Sequence, residues 1–70
     1  MGNYKLVFYG TEESKSNDHE LTAYMNHSNE LYVNIEGYTS EFIVLDIDTA
    51  VRFSRELRRV IAEMKEVDNG

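Results

Sequence analysis

The spacing of apolar residues changes at Asp46, and that change constrains the fold more than any other feature of the chain. Up to Leu45 the apolar positions alternate along several short segments; from Ile47 they recur every three or four residues. Alternation places side chains on opposite faces of a strand, whereas the wider spacing draws a stripe along a helix. The sequence therefore predicts strands first and one helix last.

YKLVFYG puts Tyr4, Leu6 and Phe8 on one face and Lys5, Val7 and Tyr9 on the other, and Gly10 closes it. TEESKSNDH has no periodicity and reads as a polar, flexible loop over residues 10–19. ELTAYMN and LYVNIE alternate again around the turn NHSNE, which is the pattern of an antiparallel hairpin. Leu21, Ala23, Met25, Leu31, Val33 and Ile35 point inward; Tyr24 and Tyr32 point outward. GYTS supplies the next reversal, and EFIVLD is apolar on both faces. Leu45 directly precedes the helix start, which directs Ile43 and Leu45 inward and Phe42 and Val44 outward, although a one-residue slip would exchange the two faces of this strand.

From Ile47 the stripe runs through Ala50, Ser54, Leu57, Ile61 and Met64, widened by Phe53 and Val60. Asp46 is the expected N-cap, with Asp48 as the other candidate and as an acid at the positive end of the helix dipole. VDNG ends the pattern. The fold class is α+β: a small antiparallel four-stranded sheet (β-meander) with one C-terminal α-helix packed on one face (ββββα). The domain spans residues 1–70, with a frayed tail at 67–70.

A chain of 70 residues supports only a thin core, and domains of this size often need a disulfide, a metal or a second subunit. There is no cysteine, which removes disulfides and thiolate metal sites and raises the expectation of oligomerisation. The net charge of −6 disfavours a phosphate-backbone binder and suits a basic protein partner. No run is long enough for a membrane span, and MGNYKLVFYG lacks the features of a signal peptide, so a cytoplasmic location is expected.

Catalytic chemistry finds little to use. His19 and His27 are the only histidines and lie at opposite ends of the second strand; Asp18 beside His19 could orient an imidazole, but spacing identifies no nucleophile. We expect no enzyme activity, no metal, no cofactor and no small-molecule substrate.

The outward face instead carries Tyr9, Tyr24, Tyr32, Phe42 and Val44, and aromatic rings that bring apolar area with a polar tip suit interfaces. Arg52, Arg55 and Arg59 form a helix ridge opposite the stripe, with Arg52–Glu56 and Arg59–Glu63 at ion-pair spacing. The expected function is that of a non-catalytic interaction or inhibitory protein, self-associating as a homodimer through its tyrosine face or binding another protein. The alternative is a nucleic-acid accessory module stacking bases on the tyrosines near the helix arginines. Tyrosines and arginines on opposite sides of the layers weigh against it.

Overall fold

The computed structural model describes residues 5–69. Strands β1 (Leu6–Tyr9), β2 (Glu20–Met25), β3 (Leu31–Glu36) and β4 (Ser40–Leu45) precede helix α1 (Ile47–Asn69). The strands form one antiparallel sheet in the order β1-β2-β3-β4, so the ββββα meander is the fold. Tyr4, assigned to the first strand by alternation, lies outside the described residues.

Register sorts the side chains into two faces. The aliphatic face carries the rows Leu6–Ala23–Val33–Ile43, Phe8–Leu21–Ile35–Glu41 and Met25–Leu31–Leu45. The opposite, aromatic face carries Tyr24–Tyr32–Val44, Val7–Thr22–Asn34–Phe42 and Tyr9–Glu20–Glu36–Ser40. Ile43 and Leu45 thus fall on the side that alternation assigned to them.

The turns explain the register. Asn26 accepts hydrogen bonds on Oδ1 from the amides of Ser28 (3.0 Å) and Glu30 (2.9 Å), and its own amide bonds the Glu30 carbonyl at 2.9 Å. Asn29 takes a left-handed φ of 61°, a conformation that asparagine tolerates. Between β1 and β2, residues 10–19 fold into hydrogen-bonded turns: the amides of Ser16 and His19 bond the carbonyls of Thr11 (3.0 Å) and Ser16 (2.9 Å). Gly10 passes so close to Ser16 that a Cβ there would collide with the Ser16 carbonyl.

Asp46 caps α1. Its Oδ1 accepts the Thr49 amide at 2.9 Å and its carbonyl accepts the Ala50 amide at 2.9 Å. The Thr49 hydrogen bonds hold the Asp46 carboxyl below its ordinary range, because they favour the charged form. The helix continues through Asn69, and Gly70 lies outside the described residues.

The main contact of α1 with the sheet is to β4, and its apolar stripe stays largely open to solvent, with Leu57 41% exposed. Asp46 alone separates β4 from α1, less chain than the 2–6 residues that usually turn a strand into a helix lying back on its sheet. Length matters too. The 23-residue helix extends about 34 Å, whereas a six-residue strand such as β3 spans about 20 Å. The Cα radius of gyration is 14.2 Å, against about 11 Å for a compact chain of this length. No apolar side chain among the described residues is buried.

Candidate interaction surfaces

Three surfaces follow from this geometry. The first is the aromatic face. Tyr24 and Tyr32 are paired in register, and their rings lie 5.0 Å apart at an interplanar angle of 36°. Tyr32 also stacks on Phe42, at 5.2 Å and 14°. Aromatic pairs at these separations stabilise the sheet directly, beyond the area they cover. Val44 completes the Tyr24–Tyr32 row from β4. Tyr9 does not join this group: it sits two rows away, on β1, beside Glu20.

Polarity alone hides one feature of this face. Thr22 and Asn34 oppose each other on the central strands and are 4% and 6% exposed. They occupy the middle row, between the tyrosine row and the glutamate row. Asn34 donates from Nδ2 to Glu36 Oε2 at 2.9 Å, so the buried amide is engaged and helps orient Glu36. Glu20 and Glu36 face each other in register. Like charges directly opposite are unfavourable in a sheet, and their field repels phosphate.

The second surface is the wedge between α1 and the aliphatic face. Ala50, Val51 and Ser54 on the helix and Met25, Leu31 and Leu45 on the sheet line its closed end. Beyond it, Leu57, Ile61 and Met64 continue the helix stripe and Ile43, Ile35 and Leu21 continue the aliphatic face, and all six are exposed. Glu41 is the one charged residue on this sheet face among the described residues. Alternation and helical periodicity locate both surfaces, and both stay largely exposed.

The arginine ridge is the third. Arg52, Arg55 and Arg59 lie on exposed helix, and Arg59 bonds Glu56 at 3.4 Å instead of the expected Glu63. An exposed pair of this kind contributes about 0–1 kcal/mol. Between β1 and β2, His19 Nδ1 lies 2.9 Å from Asp18 Oδ1, and its ring edge abuts Gly37. Among the described residues, no three His, Cys, Asp or Glu side chains gather as a metal site, and no helix is long and apolar enough to cross a membrane. Tyr38, read only as part of a reversal, stands 98% exposed at the β3–β4 turn.

No protein-family model matches the chain, and neither curated proteins nor solved structures give a significant match.

Proposed function

We propose that this chain is a small, non-catalytic protein–protein interaction protein that self-associates, and that assembly supplies the hydrophobic core a single copy lacks. The observation that carries the reading is the absence of any buried apolar side chain among the described residues. Hydrophobic burial is the dominant favourable term in folding, and a sheet with both faces open lacks it.

Surface area supports the same reading. The chain exposes 6384 Å², whereas a folded chain of 8.2 kDa exposes about 4,500 Å². The surplus is about 1,900 Å² per chain. Two copies covering that surplus would bury an area within the roughly 2,000–5,000 Å² of obligate dimers.

Exposure favours the wedge over the tyrosine face as the self-association surface. Tyr24, Tyr32 and Phe42 already support one another, while the helix stripe beyond Ser54 and the Leu21–Ile35 end of the aliphatic face stay exposed. The aromatic face, with Glu20 and Glu36 beside it, is then the surface available to a basic partner protein, as an inhibitory or regulatory role would require. A cysteine-free composition agrees with the cytoplasm as the place of action.

Sedimentation velocity over a micromolar dilution series tests self-association. A dimer that dissociates together with loss of secondary structure is the expected result. A folded monomer at every concentration would overturn the proposal.

A further inference from the structure

We infer that the partner seated in the wedge is the C-terminal half of α1 from a second copy, so that two chains exchange helix ends reciprocally. The inference rests on the self-association reading and adds the identity of the contacting surfaces.

Length is the first argument. The helix residues that line a cavity with the sheet run from Ile47 to Ser54, yet the stripe continues through Leu57, Ile61 and Met64, all exposed. Those residues have no sheet of their own to cover.

Part of the sheet is also unfilled. The root of α1 occupies the Met25–Leu31–Leu45 end of the aliphatic face. The Leu21–Ile35 end has no helix over it, and Ile35 is 49% exposed. An apolar helix end without a sheet and an apolar sheet end without a helix belong to the same chain. A two-fold axis satisfies both at once, because an isologous interface presents each surface to its complement.

Reciprocity also sets direction. Each helix starts at its own sheet and finishes at the other, so the two helices run antiparallel past each other. Their area requirement is the surplus already described, which one symmetric contact can cover. The small residues Ala50 and Ser54 near each root leave room for larger side chains from the passing helix.

Cross-linking tests this directly, since the chain has no cysteine of its own. Met64→Cys in one chain and Ile35→Cys in a second chain of different mass would be mixed, refolded and treated with a short thiol cross-linker. The expected product is a heterodimeric species joining helix to aliphatic face, with Phe42→Cys in place of Ile35→Cys giving little product. The doubly substituted chain, held at a concentration where it sediments as a dimer, should cross-link between molecules. Cross-linking only within one chain would mean that α1 folds back on its own sheet, and would overturn the exchange. A sedimenting dimer that links instead through Tyr32→Cys would also overturn it while leaving self-association intact. A monomer by sedimentation would remove both proposals together.

Discussion

Tyr32 stacks on Phe42 although its register partner on β4 is Val44. The ring reaches diagonally across the sheet while also meeting Tyr24 on the other side, with centroids 5.2 Å and 5.0 Å away. Tyr32 is therefore the middle member of a three-ring strip running across β2, β3 and β4.

Tyr32→Ser removes two aromatic pairs at once. At about 0.5–1.5 kcal/mol for each pair, urea unfolding should lose about 1–3 kcal/mol of stability. The assembly state should not change, because the wedge lies on the other face. Conversion of a wild-type dimer to a folded monomer would restore the tyrosine strip as the interface.

Leu57→Ala acts on the opposite side. Leu57 is 41% exposed in the single chain, so its truncation there would be mild. If a second copy covers it, the loss should approach the roughly 2–5 kcal/mol of a buried Leu→Ala change. Denaturation at several protein concentrations separates the cases: the loss should appear as weakened dimerisation. A change below about 0.5 kcal/mol at all concentrations would place Leu57 outside any interface.

The Asp46 cap predicts a pH dependence. Thr49 hydrogen bonds hold the folded-state carboxyl below its ordinary value, so the folded state binds this proton less readily than the unfolded chain. The stabilisation is fully present above the unfolded value, about 3.9, and fades as pH falls through the folded one. Asp46→Ala should reduce stability at neutral pH, with its difference from wild type shrinking below about pH 4. A difference that stays constant from neutral to strongly acidic pH would contradict the cap.

Gly10→Ala tests the closed turn between β1 and β2. The added methyl meets the Ser16 carbonyl, which belongs to backbone held by hydrogen bonds at both ends of the loop. Forced overpacking of this kind costs about 1–3 kcal/mol. Thermal unfolding should register the loss, and unchanged stability would mean that the loop opens without penalty.

Local physics made the elements legible. Alternation in ELTAYMN and LYVNIE, with Asn and Ser between them, was enough to place Tyr24 beside Tyr32, since turn length and inward–outward alternation set the register. Asp46 as the cap followed from its position before the first helical residue. Other local details escaped the pattern: Arg59 chose Glu56, because two acids lay within one helical turn of it and spacing does not rank them. Thr22 and Asn34 became the buried residues because large rings on neighbouring rows shield the middle of the aromatic face, which side-chain polarity does not report.

By itself, then, the sequence determined the succession of strands and helix, the cap and the two faces of β2 and β3, while the register of β4 fixed which of its faces joins them. Those properties depend on residues a few positions apart and on a fixed period of two or 3.6. Only the tertiary structure decided where α1 lies relative to the sheet. Two apolar surfaces in one sequence imply that both need covering, but not that they cover each other. The direction in which a single-residue link at Asp46 releases the helix makes that choice, and here it carries the stripe away from its own sheet.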